Sequence, residues 1–242
     1  LGRVGDYMVD SSDTINNIRI MRKDLFEEIY RDSGEQEEQK SVIFDLDGTL
    51  WDAMDPICSA WAAALERSAL PHIALTREFL SGCMGKTPEE IGALAFPDAP
   101  RAEREAEMQK LYEYENELLC HCGGILYPRL PETLAALAQK YALCVVSNSQ
   151  DGYVQAFLHW SGLTCFRDIE MAGRTGLDKG ANIRLVMERN GVTKAVYVGD
   201  TQGDCVSAYR AGTRFAFAAY GFGEADRYDI ILNSITDLIN VL

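Results

Sequence analysis

Ser41-Val42-Ile43-Phe44-Asp45-Leu46-Asp47-Gly48-Thr49-Leu50-Trp51-Asp52 is the stretch whose reading decides the fold. The apolar run Val42 to Phe44 predicts a buried strand. It runs into two aspartates one residue apart, then Gly48-Thr49. Alternate residues of a strand point the same way, so Asp45 and Asp47 leave the strand end together. Gly48 permits a tight turn there. Two converging carboxylates are unfavourable unless a cation or a proton separates their charges. The pair therefore predicts a divalent-metal site, a carboxylate nucleophile with an acid/base partner, or both.

The chain downstream supports a sheet-based reading. Leu143 to Val146, Ala195 to Val198, Phe215 to Ala219 and Asp229 to Leu232 read as further strands. Leu130 to Lys140, Gly152 to Ser161, Lys179 to Arg189, Cys205 to Ala211 and Ser234 to Leu242 read as the helices between and after them. Alternating strands and helices predict an α/β fold, a Rossmann-like parallel sheet with helices on both faces. Ligands of such sheets bind outside the carboxyl ends of the strands. Asp45, Ser147 and Asp200 all fall there. Residues 56–124 carry no strand signal. Their helical spacing, with breaks at Pro71, Gly85-Lys86-Thr87 and Pro97 to Pro100, predicts an inserted all-helical cap. The expected domains are an α/β core of residues 41–55 and 125–242 and a cap of residues 56–124. Asp52 to Pro56 and Gly123-Gly124 would be the hinges.

Residues 1–40 stand apart. Ile15, Ile18, Met21, Leu25 and Ile29 are spaced for a helix over Thr14 to Tyr30, followed by a polar linker from Asp32 to Lys40. Such a helix would pack on the body, move in solution or bind a partner.

Composition narrows the partners. The 242 residues carry a net charge of -14, which repels polyanions and argues against nucleic acid. A small anionic substrate is compatible if a metal and local cations override that field. The seven cysteines include no Cys-x-x-Cys pair and several lie in apolar runs, as expected of a reduced, cytoplasmic protein. Cys120-His121-Cys122 lacks a second ligand pair at zinc-finger spacing. No apolar run approaches the roughly 20 residues of a membrane span. Leu1-Gly2-Arg3 shows no apolar signal core.

The strand ends offer complementary chemistry. Asp45 and Asp47 pair carboxylates, Ser147 offers a hydroxyl, Asn148 an amide, Lys179 a positive charge, and Asp200 and Asp204 two further carboxylates. Carboxylate oxygens suit a hard cation such as Mg2+, which takes one or two of them plus substrate oxygens.

In this order the residues resemble the haloacid dehalogenase superfamily, in its phosphatase branch with a helical cap. Asp45-Leu46-Asp47-Gly48-Thr49 matches that family's first motif, Ser147 the second, Lys179 the third, and Gly199-Asp200 with Asp204 the fourth. The resemblance covers residues 41–242. It implies that Asp45 attacks phosphorus and that Asp47 is the general acid and base. It also implies that Thr49, Ser147 and Lys179 bind the phosphoryl oxygens. Mg2+ would be held by Asp45, the Asp47 carbonyl and Asp200, with Asp204 behind them. Asp47 sets the chain apart from the dehalogenase branch, which has Tyr at that position, and from the phosphonoacetaldehyde hydrolase branch, which has Ala. The expectation is a Mg2+-dependent phosphatase of a small phosphorylated metabolite, its cap similar to that of phosphoglycolate phosphatase-like enzymes. Lys86, in the loop Gly82 to Thr87, could meet a second anionic group of the substrate. The alternatives are a phosphosugar mutase resembling β-phosphoglucomutase and a non-catalytic binding module.

Overall fold

The structure, a computed structural model, describes residues 7–10, 18–21, 40–74 and 76–242. Two compact units divide the chain, Leu1–Gln39 and Lys40–Leu242. In the first, strand β1 (Tyr7–Asp10) pairs antiparallel with β2 (Ile18–Met21), Tyr7 opposite Met21. This corrects the helix expected over Thr14 to Tyr30: Ile18 to Met21 is extended. Branched Ile18 and Ile20 alternate with Arg19 and Met21, a two-residue period that a 3.6-residue reading absorbs. The rest of that expected helix, and the linker up to Gln39, lie outside the described residues. Lys40 belongs to the second unit, as the first residue of a strand.

The second unit is built on a six-stranded sheet, β10-β9-β8-β3-β6-β7, in which every described pairing is parallel. The strands are β3 (Lys40–Phe44), β6 (Ala142–Ser147), β7 (Phe166–Met171), β8 (Lys194–Gly199), β9 (Arg214–Ala218) and β10 (Ile230–Leu232). Val42, Ile43, Phe44, Cys144, Val145, Val146, Tyr197 and Val198 are fully buried. Continuous apolar runs are what a parallel sheet covered on both faces requires. β3 lies in the middle, between β6 and β8. This order sets the ends of three strands distant in sequence side by side.

The sequence reading misses β7. Arg167, Asp168 and Glu170 interrupt its apolar pattern, yet the strand forms at the sheet edge. Arg189 donates to both Asp168 oxygens, at 2.5 and 2.6 Å, and to Glu170 at 2.6 Å, so the charges are matched. The expected C-terminal helix is divided into a 3-10 turn, Ile235–Asp237, and a short helix, Leu238–Val241.

The inserted helices are α1 (Met54–Leu65), α2 (Arg77–Cys83), α3 (Pro88–Ala95) and α4 (Arg101–Cys122). Thr87 and Glu90 close a reciprocal cap on α3, and Thr76 caps α2. The insertion leaves and rejoins the sheet unit through a short antiparallel pair, β4 (Trp51–Asp52) against β5 (Ile125–Leu126). Between α4 and β5, Gly123 has φ +59, and a Cβ there would fall 1.9 Å from the Trp160 ring. Only glycine fits that passage. Trp51 is fully buried and meets Tyr153, Phe157 and Trp160, with ring centroids 5.0–6.0 Å apart. No helix among the described residues is long and apolar enough to cross a membrane.

Candidate active site

Asp45 follows the last residue of β3. Its backbone N–H donates to the Val198 carbonyl at 2.8 Å, which carries the parallel pairing one residue beyond the strand. The chain then turns at Gly48, where φ is +76 and an added Cβ would lie 2.1 Å from Asp200 Oδ2. Only a residue without Cβ lets Asp200 approach this turn.

Lys179 opens helix Lys179–Arg189, whose N-cap Asp178 accepts from Ala181 N–H. Its ammonium, 2% exposed, donates to Asp45 Oδ1 at 3.0 Å and Asp204 Oδ1 at 2.6 Å. Burial opposes its charge, but Asp204 and Asp45 overcome that and raise its pKa. Asp45 is pushed well up by burial and by Asp204, against the pull of Lys179. Asp200 rises to about 7 for the same first two reasons.

One carboxylate oxygen from each of Asp45, Asp200 and Asp204 lies within 4.8 Å of the others, the only such acidic, His or Cys group among the described residues. Cys120-His121-Cys122 forms no such group. The three acids are not equivalent. Asp204 Oδ2 caps helix Gln202–Ala211 by accepting from Thr201 N–H and Oγ1, and its Oδ1 is taken by Lys179. Asp200 Oδ2 accepts from Phe222 N–H at 2.7 Å, but its Oδ1 is buried without a partner. A buried carboxylate oxygen without a partner, in a cluster of three acids, fits a hard divalent cation.

Asp47 is held differently. Its Oδ1 accepts from Trp51 Nε1 at 2.9 Å and from Tyr153 Oη at 2.6 Å. Burial raises its pKa to about 6, against the two donors and Lys179. Both bonds fall on one oxygen, which leaves Oδ2 for a substrate.

Ser147, at the end of β6, is buried, and Thr49 Oγ1 is buried without a partner. A cavity of about 70 Å3 is lined by Asp45, Asp47, Ser147 and Lys179 from the strand-end side, by Trp61 and Glu115 from the inserted helices and by Lys86 from the loop between two of them. Lys86 thus reaches the same cavity as the strand-end residues. Asn148 lines it too, but its Nδ2 donates to the Gly85 carbonyl at 2.7 Å. One of its two amide N–H groups therefore holds the Gly85 loop, and the other stays available to donate.

Residues 42–218 match the family model of the haloacid dehalogenase-like hydrolases. This chain belongs to that family. Its similarity to known proteins runs along nearly the whole of each relative. It is 28% identical to the phosphoglycolate phosphatase of Escherichia coli O157:H7, over 85% of this chain and 93% of that one. It is 26% identical to the phosphoglycolate phosphatase of Aliivibrio fischeri, over 85% and 97%. Among solved structures, a predicted phosphoglycolate phosphatase from Haemophilus somnus superposes with a TM-score of 0.71 at 24% identity, over 86% of this chain and 99% of that one. CbbY from Rhodobacter sphaeroides gives 0.69 at 19% identity, over 82% and 95%. These two likenesses show the fold. The enzyme is a phosphatase-type hydrolase of the haloacid dehalogenase-like family.

Sequence reasoning missed Trp51, Tyr153, Glu115 and the Phe222 N–H. Trp51 stands four residues from Asp47, a spacing that goes unnoticed at the end of a strand. Tyr153 and Glu115 carry no local signal, because they reach the site from helices 106 and 68 positions from Asp47.

Proposed function

We propose that this enzyme is a Mg2+-dependent phosphatase that hydrolyses a small phosphorylated metabolite through an aspartyl-phosphate. The observation that carries the reading is the division of labour between two carboxylates two residues apart. Asp45 sits against Lys179 and the other acids, and Asp47 is fixed by Trp51 and Tyr153. Divergent environments of this kind mark acid/base assignments.

An Asp45 oxygen attacks phosphorus, forming a P–O bond as the bond to the ester oxygen breaks. Asp47 gives its proton to the departing oxygen. It then takes one from the water that attacks the aspartyl-phosphate, releasing inorganic phosphate and restoring Asp45. Thr49, Ser147 and Lys179 bind the phosphoryl oxygens, and Lys179 offsets their charge. Asp45, the Asp47 carbonyl and Asp200 would hold Mg2+, which shields the nucleophile from an anionic substrate when bound. Asp204 positions Lys179 and the turn that carries Asp200.

The small cavity supports a small substrate. About 70 Å3 gives roughly five water-sized positions, enough for a phosphoryl group and a short organic part. The β4–β5 pair that brackets the inserted helices supports a cap of residues 56–124 on a core of residues 41–55 and 125–242. The test is phosphate release from a panel of phosphorylated metabolites with Mg2+ and with a chelator. Release with Mg2+ and loss on chelation are expected. Metal-independent turnover would break the reading.

A further inference from the structure

The cavity wall opposite the strand ends has its own chemistry. Glu115 projects from α4 and is 4% exposed. Its Oε1 accepts from Gln150 Nε2 at 3.0 Å and its Oε2 from Trp61 Nε1. Both partners are nitrogens that only donate, so Glu115 stands as an acceptor, with about half of its roughly four lone-pair sites still unused. Asn148 adds a second acceptor. One Nδ2 N–H donates to the Gly85 carbonyl, and its Oδ1 is buried without a partner. An unmatched buried acceptor is unfavourable. A donor arriving with the substrate would relieve it.

Charge points the same way. The cavity lining holds three carboxylates, Asp45, Asp47 and Glu115, against two cations, Lys86 and Lys179. Lys179 is already bound to Asp45 and Asp204. Lys86 lies near enough to Glu90 to help lower its pKa. Once Glu115 is ionised, its end of the cavity therefore favours a neutral or cationic group.

We propose that the organic part of the substrate carries hydrogen-bond donors, hydroxyl or ammonium groups, rather than a carboxylate, and that Glu115 and Asn148 Oδ1 receive them. This rests on the phosphatase reading above and narrows it: Glu115 is a specificity-determining residue of that site.

The test compares phosphate release from three two-carbon esters, 2-hydroxyethyl phosphate, phosphoethanolamine and phosphoglycolate, with p-nitrophenyl phosphate as the general probe. One hydrogen bond to a charged group is worth about tenfold or more, so kcat/KM for the hydroxyl and ammonium esters should exceed that for phosphoglycolate by at least about tenfold. Equal or better turnover of phosphoglycolate overturns the inference. Glu115→Gln should shrink the gap, chiefly through KM, and an unchanged gap also overturns it. The comparison on the unaltered enzyme needs no variant, so a misfolded Glu115→Gln leaves it decisive. Failure to hydrolyse any of the four esters would break the phosphatase reading itself. Hydrolysis of p-nitrophenyl phosphate with phosphoglycolate preferred would break only the specificity.

Discussion

The two walls of the cavity solve the problem of buried charge in opposite ways. At the strand ends, charges sit in contact: Lys179 lies between Asp45 and Asp204, and Asp200 adds a third acid. On the helical wall, the Glu115 carboxylate meets only the neutral donors of Trp61 and Gln150. Burial raises its pKa to about 7, and those two bonds lower it only in part. On the proposed mechanism, an ion cluster of the first kind suits a constant group, the phosphoryl dianion and its metal. A carboxylate hydrogen-bonded only to neutral donors is sensitive to whatever enters beside it. On the proposed reading, the core wall carries the chemistry and the helical wall the choice of substrate.

The largest way to break this contrast is Asp45→Asn. If the strand-end wall carries the chemistry, turnover of p-nitrophenyl phosphate should fall by about 10^3-fold or more, with the thermal transition retained. Near-normal turnover would show that Asp45 is not the nucleophile. Asp47→Asn comes next, with a loss of about 10^2- to 10^4-fold for alkyl esters. The loss should be smaller for p-nitrophenyl phosphate, whose leaving group needs little protonation. An equal loss for both esters would deny Asp47 the role of acid.

Tyr153→Phe removes one of the two donors on Asp47 Oδ1 and leaves Trp51. A net hydrogen bond to a charged group is worth about 1.5–3 kcal/mol, which sets an upper bound of roughly 10- to 150-fold on the fall in kcat. KM should stay nearly constant. A rise in KM alone would place Tyr153 in binding rather than in holding Asp47.

The smallest effect concerns the helical wall. A carboxyl whose folded pKa lies above its unfolded value stabilises the fold fully below the unfolded pKa, near 4.3. That contribution is lost as pH rises through the folded value, about 7 for Glu115. Glu115→Gln should therefore gain on the unaltered enzyme in unfolding free energy between pH 5 and pH 8, by at most roughly 3 kcal/mol. Denaturant unfolding at the two pH values measures it. A constant difference would show that Glu115 is not held against ionisation.

Most of the sheet was legible because a parallel strand buried on both faces must be an unbroken apolar run, as Val42 to Phe44 and Ala195 to Val198 are. β7 was hidden because Arg189 matches its acids, a pairing 19 to 21 residues away in the chain. The β4–β5 ribbon was hidden because two residues per strand leave no periodicity. Ile18 to Met21 was misread because apolar residues spaced for a helix also fit alternation over four positions. At the site, Asp45, Asp47, Ser147, Lys179 and Asp200 were legible because each stands at a fixed offset from a strand or helix end. Glu115 was not, since in a helix rich in glutamate one buried carboxylate looks like its solvated neighbours.

The sequence by itself determined the α/β class, the inserted helices and the set of strand-end residues, because those follow from local periodicity and from turn chemistry. Only the tertiary structure decided that β3 lies between β6 and β8, which brings Asp45, Ser147 and Asp200 to adjacent strand ends. It also decided that Asp47 of the opening stretch is gripped by Trp51 and Tyr153, and that Glu115 alone among the glutamates of α4 lines the cavity. Strand order and side-chain convergence depend on packing between segments far apart in the chain, and local sequence carries no record of it.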